Sequence, residues 1–286
     1  MNQRQLTKLP IGIQDFVKLR EGGYLYVDKT KYLVDLIDSG AVYFLSRPRR
    51  FGKSLTISTL DALFSRKKEL FEGLYAEAFL NRPEFQPCPV VRLDMSQTTT
   101  DQDVDALRAS MLLQVQQNAA RYGLEISETS PGSALNQLLH DLAKKQGRVA
   151  VLIDEYDKPI LDSLQDLEKA EVFRASLRNF YTQIKASDEQ TRFVFVTGIT
   201  KFTKTGIFSA MNNLNDISMD EQYASMLGYT REELDHSFAP HIQQTAEALR
   251  LSEEELLEKI KAYYNGFSFD GEHFVYNPFY ILNFFS

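Results

Sequence analysis

Apolar residues cluster along the chain in short runs that alternate with stretches of helical periodicity. The runs are too short for helices and lack strict polar alternation, so they predict strands buried on both faces. They lie at residues 41–46, 89–96, 148–157 and 192–200, with a weaker run at 215–220. Buried strands that alternate with helices indicate an α/β fold, with a doubly wound parallel sheet flanked by helices.

The segments between these runs carry apolar residues at helical spacing. Helices are predicted near residues 24–40, 55–70, 101–120, 133–147 and 172–185. Thr100 and Asp103 fit a capping box at the start of the helix at 101–120. Gly147 is placed to end the helix at 133–147, because glycine is the usual residue just after a helix.

From about residue 223 the chain becomes acidic and mainly helical. Ser252 is spaced to open a capping box, and Asp270-Gly271 is typical of a type I′ hairpin. Pro278 stands where a first helical residue belongs. The predicted parts are an N-terminal segment at 1–40, a nucleotide-binding core at 41–222, and a helical, winged-helix-like region at 223–286.

Charge is distributed unevenly along the 286 residues. The net charge of −7 argues against a protein that binds nucleic acid through its overall charge. Basic side chains are nevertheless concentrated at 47–68, so an anionic ligand has one obvious place to bind. Cys88 is the single cysteine, which fits a reducing compartment. No stretch reaches the ~20 apolar residues of a membrane span, so we expect a cytoplasmic protein without a membrane partner.

Residues 46–55 read SRPRRFGKSL and end like a phosphate-binding loop. The usual pattern is G-x-x-x-x-G-K-[ST], and Arg47 stands in place of its first glycine. The loop lies between a predicted buried strand and a helix N-terminus, which is the context that phosphate binding requires. This context favours a nucleotide site over a chance surface turn. The predicted nucleotide-binding residues are Arg49, Arg50, Phe51, Gly52, Lys53, Ser54 and Leu55.

The apolar run at 148–157 ends in the acidic pair Asp154-Glu155. Buried parallel strands present their carboxyl ends to the ligand crevice of an α/β sheet. At that position we expect Asp154 to hold Mg²⁺ together with Ser54, and Glu155 to polarise the attacking water. The alternative, a strand that simply ends in two solvated acids, is disfavoured by the phosphate-loop pattern upstream.

Two threonines lie at the end of the neighbouring predicted strand, in the stretch FVFVTGIT. Thr197, the first candidate, and Thr200, the second, carry hydroxyls that are able to contact the γ-phosphate or the attacking water. A different interpretation stays open, in which both hydroxyls only satisfy the turn from strand to loop.

The arginines beside the loop leave alternatives open. Arg49 and Arg50 are able to clamp phosphate, stack on a base, face nucleic acid, or simply lie in solvent. An arginine finger from a neighbouring subunit is not assigned, and its candidates are Arg174, Arg178 and Arg192.

Several stretches resemble, in order and spacing, the bacterial AAA-ATPase-like proteins. They are LPIGIQDFVKLREGGYLYVDKT, SRPRRFGKSL, VLIDEYDKPI, VTGITKF and YNGFSF…VYNPFYILNFF. The resemblance covers nearly the whole chain and implies a P-loop ATPase core, in which Arg47 in place of glycine is ordinary. Such proteins usually carry a PD-(D/E)XK-type nuclease domain at the C-terminus. This chain ends at Ser286 without a visible carboxylate-plus-lysine core after residue 223, so we expect a truncated C-terminal region and no nuclease activity.

The sequence as a whole predicts Mg²⁺-dependent ATP hydrolysis with ATP as the partner. Lys53 is the residue expected to hold the β- and γ-phosphates. One rival is a nucleotide-gated switch or scaffold with little hydrolysis. Another is nucleic-acid binding through the basic segment 47–68. Association with further copies of the same chain, as a homo-oligomer, is also left open.

Overall fold

A five-stranded parallel sheet forms the centre of the protein. The computed structural model describes residues 6–201 and 214–286. The strands are β1 (Val42–Ser46), β2 (Val90–Asp94), β3 (Val149–Asp154), β4 (Thr191–Gly198) and β5 (Asn215–Asp216). Their spatial order is β2-β3-β4-β1-β5, and each neighbouring pair is parallel. The α/β fold class predicted from the apolar runs is therefore confirmed.

The strands are shorter than the apolar runs that predicted them. The run at 89–96 ends as a strand at Asp94, whose carboxylate Oδ1 accepts the Ser96 backbone N–H at 3.0 Å. This bond turns the chain into a short 3-10 turn at Met95–Gln97. The weak run at 215–220 forms only the two residues of β5, which pair with Tyr43 and Phe44 of β1.

Helices cover both faces of the sheet. They are α1 (Phe16–Glu21), α2 (Thr30–Ser39), α3 (Lys53–Phe64), α4 (Ala76–Leu80), α5 (Val104–Arg121), α6 (Pro131–Gln146), α7 (Lys158–Asp162) and α8 (Leu167–Ala186). One buried cluster joins α1, α2, α3 and α4 to the sheet. A second cluster joins α5, α6 and α8 to the opposite face. The carboxyl ends of β1, β3 and β4 are left to form a site at one edge.

Side-chain caps decide where two of these helices begin. The capping box predicted from Thr100 is wrong, because Asp103 is itself the N-cap of α5 and accepts the N–H groups of Asp105 and Ala106. The Thr100 hydroxyl donates to Asp162 at 3.1 Å instead. Helix α6 begins two residues early because Ser130 caps it, and it ends before Gly147 (φ 89°) as predicted.

The C-terminal region combines four helices with a two-stranded hairpin. Its elements are α9 (Arg231–Ser237), α10 (Ala239–Leu249), α11 (Glu253–Tyr264), β6 (Asn265–Ser268), β7 (Phe274–Tyr276) and α12 (Pro278–Phe284). A third apolar cluster contains these helices together with Leu25 and Val27 of the N-terminal segment. Lys29 donates to the Glu233 carboxylate at 2.5 and 2.6 Å across the same contact. The N-terminal segment therefore packs against the C-terminal region.

The hairpin connection differs from the predicted type I′ turn. Five residues, 269–273, join β6 to β7. The Asp270 carboxylate accepts the backbone N–H groups of Glu272 and His273, and the left-handed conformation falls on Gly271 (φ 91°) rather than on both residues. A type I′ turn needs both central residues there, so that prediction is wrong. The capping box at Ser252 and the start of α12 at Pro278 are confirmed.

None of the helices in the described ranges is long and apolar enough to span a membrane.

Candidate nucleotide site

The turn between β1 and α3 has the form of a phosphate-binding loop. Residue 46 ends the strand and Lys53 begins the helix, so 47–52 form the turn. Gly52 has φ 98°, a left-handed conformation that glycine adopts without the steric cost a side chain would bring. At the other end of the turn, the Arg47 backbone N–H donates to Gly198 O of β4 at 3.1 Å.

Lys53 lies inside the curve of this loop. Its side chain is 3% exposed, and Nζ donates to Arg47 O at 3.1 Å and Pro48 O at 3.2 Å. The same Nζ lies 3.6 Å from Glu155 Oε1. The structure therefore brings the loop lysine and the acidic pair of β3 together, although they are distant in sequence.

Asp154 ends β3 as a buried carboxylate. Its Oδ1 accepts the Thr197 hydroxyl at 2.9 Å and the Glu155 backbone N–H at 3.0 Å. Oδ2 has no hydrogen-bond partner among the residues that the structure describes. Thr197 is completely buried, so its hydroxyl orients the Asp154 carboxylate rather than facing the cleft.

Glu155 has a strained backbone and a perturbed carboxyl group. Its φ of 50° lies in the left-handed region, which is uncommon for a residue with a side chain and tends to occur at functional sites. Burial raises the pKa of the Glu155 carboxyl above its ordinary value, and the Lys53 ammonium opposes that shift. The left-handed turn directs the carboxylate back toward Lys53 instead of along the strand.

A cleft of about 670 Å³ contains most of these groups. The lining of this cleft includes Lys53, Ser54, Asp154 and Glu155. It also includes the largely apolar residues Pro10, Leu55, Tyr229, Pro278 and Leu282. Sites for small ligands commonly have this size and this mixture of apolar walls with a few polar groups.

The predicted loop residues divide between the cleft and the core. Arg49 and Arg50 are exposed and line the cleft. Ser54 and Leu55 line it too and are half-buried. The Phe51 side chain is buried against two rings of the C-terminal hairpin. Its centroid lies 4.9 Å from that of Phe267 and 5.5 Å from that of Phe269. Phe51 is therefore able to offer a ligand only its backbone.

Arg47, which replaces the usual glycine, is 1% exposed. Its guanidinium donates to the carbonyls of Ser46 (2.9 Å), Ser218 (2.7 Å) and Tyr223 (3.2 Å). The guanidinium carbon also lies 3.9 Å from the centre of the Phe269 ring. Burial lowers the pKa of Arg47 to about 10, so the group remains charged at neutral pH. Arg47 thus connects the loop to the segment after β5 and to the hairpin.

Asp157 is a buried residue of the site that the sequence reasoning did not assign. Its carboxylate accepts the N–H groups of Ile199 (3.0 Å) and Thr200 (2.7 Å), and the Thr200 hydroxyl at 2.5 Å. A Cβ on Gly198 would lie 2.7 Å from Asp157 Oδ1, so glycine permits this close approach. Asp157 holds the end of β4 beside β3. The sequence feature that could have pointed to it is its place as the third acidic residue of the stretch VLIDEYD.

Arg92 is a second residue that the sequence reasoning missed, and it lines the same cleft. The sequence feature that could have identified it is a positive charge within the apolar run PVVRLDMS.

Two of the arginine-finger candidates have partners elsewhere. Arg192 lies over the rings of Phe64 and Phe85, and Arg174 pairs with Glu171 at 2.7 Å.

A parallel sheet of this order, with a phosphate loop after β1 and an acidic pair after β3, defines a P-loop NTPase core. The chain belongs to the AAA-ATPase-like family, described as predicted AAA-ATPases, which matches residues 10–208. The family resemblance found in the sequence is thereby confirmed.

A curated relative extends the comparison to nearly the whole chain. The chain is 41% identical over 277 residues to the "Uncharacterized protein in vnfD 5'region" of Azotobacter chroococcum mcd 1. This match covers 96% of the chain and 51% of that protein, so the chain spans about half the length of the curated relative it matches.

Replacing Arg47 by alanine should destabilise the fold by about 2 kcal/mol or more. The change leaves three carbonyls, two of them in buried hydrogen bonds, without their charged donor. Such hydrogen bonds contribute about 1.5–3 kcal/mol each. Arg49→Ala, which removes an exposed arginine two residues away, should change stability by less than about 0.5 kcal/mol. Urea unfolding of the two variants measures the difference. Equal midpoints would show that Arg47 does not anchor the loop.

Proposed function

We propose that this protein is a Mg²⁺-dependent ATPase. The observation that carries the proposal is the approach of the loop lysine to the acidic pair, with Lys53 Nζ 3.6 Å from Glu155 Oε1 in a shared cleft. P-loop enzymes use these groups on opposite sides of the terminal phosphate, where positioning and electrostatics supply most of the catalysis. Membership of the AAA-ATPase-like family supports the same conclusion.

The residues at the loop fit a magnesium nucleotide. Ser54 and Asp154 offer a hydroxyl and a carboxylate oxygen, the hard ligands that Mg²⁺ prefers. Within the described ranges, no group of three or more His, Cys, Asp or Glu side chains is arranged to hold a metal ion. Mg²⁺ is usually bound by one or two protein groups together with phosphates and water, so two oxygens suffice. Ser54 and Asp154 would hold the ion, which would supply positive charge to neutralise the charge that develops on the phosphates.

The remaining groups have roles that follow from their contacts. Lys53 would exchange the carbonyls of Arg47 and Pro48 for the β- and γ-phosphates, and so release Glu155. Glu155 would then accept a proton from the attacking water as general base. Thr197 would keep Asp154 oriented toward the metal. The largely apolar residues that line the cleft, Leu55 among them, would contact the purine ring.

Two measurements on the purified chain test this function. Isothermal titration with ATP and Mg²⁺ should show saturable binding, and a phosphate-release assay should show turnover that EDTA stops. Catalytic turnover of ordinary enzymes is about 1–10³ per second. If the chain shows no ATP binding and no phosphate release at millimolar ATP, the proposal is wrong.

The second candidate function is a nucleotide-gated switch with little hydrolysis. It is favoured by the contacts of the loop with the C-terminal region, where Arg47 and Phe51 meet the ring of Phe269. In this case ATP would order the C-terminal region for a partner. Saturable ATP binding with turnover far below about one per minute would favour the switch, since ordinary enzymes are far faster.

Nucleic-acid binding by the segment 47–68 remains a weaker proposal. Its positive charges are dispersed, because Arg47 and Lys53 are buried and Arg66 donates to Leu80 O at 3.2 Å. DNA binding measured at several salt concentrations tests it, since the slope counts the phosphates contacted. Absence of binding at low salt would end this proposal.

A further inference from the structure

Arg50 projects from the phosphate loop onto an aromatic ring of the C-terminal region. Its backbone is left-handed, with φ 68°, which is costly for a residue with a long side chain. The guanidinium carbon lies 3.9 Å from the centre of the Phe279 ring. Both residues line the cleft that contains Lys53. The strained backbone therefore directs this arginine to one particular neighbour at the site.

The contact with Phe279 leaves the hydrogen-bonding capacity of Arg50 unused. A guanidinium stacks through its flat face, whereas its five N–H donors point outward in the plane of the group. Throughout residues 6–201 and 214–286, no hydrogen bond or ion pair engages the Arg50 side chain. An oxyanion in the cleft is thus able to bind the edge of the guanidinium while the ring holds its face.

Phe279 is itself held in a fixed position. It lies in the first turn of α12, where its backbone N–H donates to the Asn277 side chain at 3.0 Å. The next turn of the helix anchors it further, because Ile281 and Leu282 are buried in the third apolar cluster. The ring is therefore a platform whose position depends on the packing of the C-terminal region.

We propose that Phe279 is a positioning residue that holds Arg50 ready to bind a phosphate oxygen of the nucleotide. The inference rests on the proposed function, because it assigns Arg50 to the phosphates of the same ligand. Charge-assisted hydrogen bonds from arginine to phosphate are among the strong ones. Displacement of α12 would weaken phosphate binding, and by thermodynamic reciprocity bound nucleotide stabilises the docked position of α12.

A double-mutant cycle tests this assignment on the full chain. ATP affinity is measured for the unmodified protein, Arg50→Ala, Phe279→Ala and the double variant. We expect each single change to weaken binding about tenfold, the size of one charged hydrogen bond. The double variant should bind no more weakly than Arg50→Ala alone, because Phe279 acts through Arg50. Phe279→Tyr keeps the ring and should restore affinity.

Two controls separate positioning from general damage. Tyr263→Ala removes another aromatic ring of the C-terminal region, which is exposed and lies against Tyr264 (centroids 6.3 Å apart), and should leave ATP affinity unchanged. Tripolyphosphate, which has no base, should lose affinity in Arg50→Ala by the same factor as ATP. Melting temperatures check folding, and Phe279→Leu takes the place of Phe279→Ala if that variant does not fold.

The outcomes distinguish this inference from the proposed function. Additive losses in the cycle, or full ATP affinity in the Phe279 variants, would overturn the role of Phe279 and leave the ATPase proposal standing. A loss with ATP but not with tripolyphosphate would also overturn it, since Arg50 would then contact the base. Absence of ATP binding by the unmodified chain would overturn both.

Discussion

Lys53→Ala is expected to weaken ATP binding by about 100-fold or more. The lysine supplies the charge that binds the outer phosphates, and each hydrogen bond to a charged group contributes about 1.5–3 kcal/mol. In this protein the loss has a second component. Without the ammonium, the half-buried Glu155 carboxylate faces the incoming phosphates with no positive charge between them, and like charges repel.

Isothermal titration with ATP and Mg²⁺ measures this effect directly. The matched control is Lys67→Ala, which removes an exposed lysine from the same basic segment and should bind ATP normally. Circular dichroism of both variants shows whether the fold is retained. If Lys53→Ala binds ATP as tightly as Lys67→Ala, the loop is not the phosphate site.

The core strands were predictable because burial leaves a strong signature in the sequence. A strand covered by helices on both faces is apolar at most positions, and β3 is buried from end to end. The same logic identified Asp154, since a carboxylate that follows such a run lies at the ligand edge of the sheet. The strand order and the partner of β5 were not predictable, because they depend on which distant segments pair.

The sequence alone did not predict where the side chains of the loop arginines lie. Arg47 and Arg50 are separated by only two residues, yet one enters the core and the other lies in the cleft. That difference depends on backbone angles within the turn and on rings from residues more than two hundred positions later. Local composition indicated a basic, anion-binding segment and contained no information about Phe269 or Phe279.

Asp157 shows how a quoted motif can contain an unassigned role. The acids of VLIDEYD that the sequence analysis assigned were Asp154, to the expected metal ion, and Glu155, to the attacking water. Asp157 is completely buried, and its carboxylate accepts the backbone N–H of Thr200, just after the end of β4. Its partners, Ile199 and Thr200, follow β4, and only the pairing of β3 with β4 brings them beside Asp157.

Glu155→Gln should preserve ATP binding and reduce turnover by about 100-fold or more. General-base catalysis typically contributes about 10²–10⁴-fold, and an amide cannot accept the proton from water. Glutamine keeps the shape of the side chain and can still accept a hydrogen bond from Lys53, so the loop should remain formed. The loss of negative charge beside the phosphates favours ATP, and we therefore expect affinity to be equal or higher.

Single-turnover phosphate release, measured beside ATP titration, separates the chemical step from binding. Glu168→Gln is the matched control, because it makes the same change on the exposed first turn of α8 and should turn over normally. Turnover of Glu155→Gln equal to that of Glu168→Gln would remove Glu155 from the mechanism. Loss of ATP binding in Glu155→Gln would instead show that its contact with Lys53 holds the loop open for nucleotide, which is a structural role in place of a catalytic one.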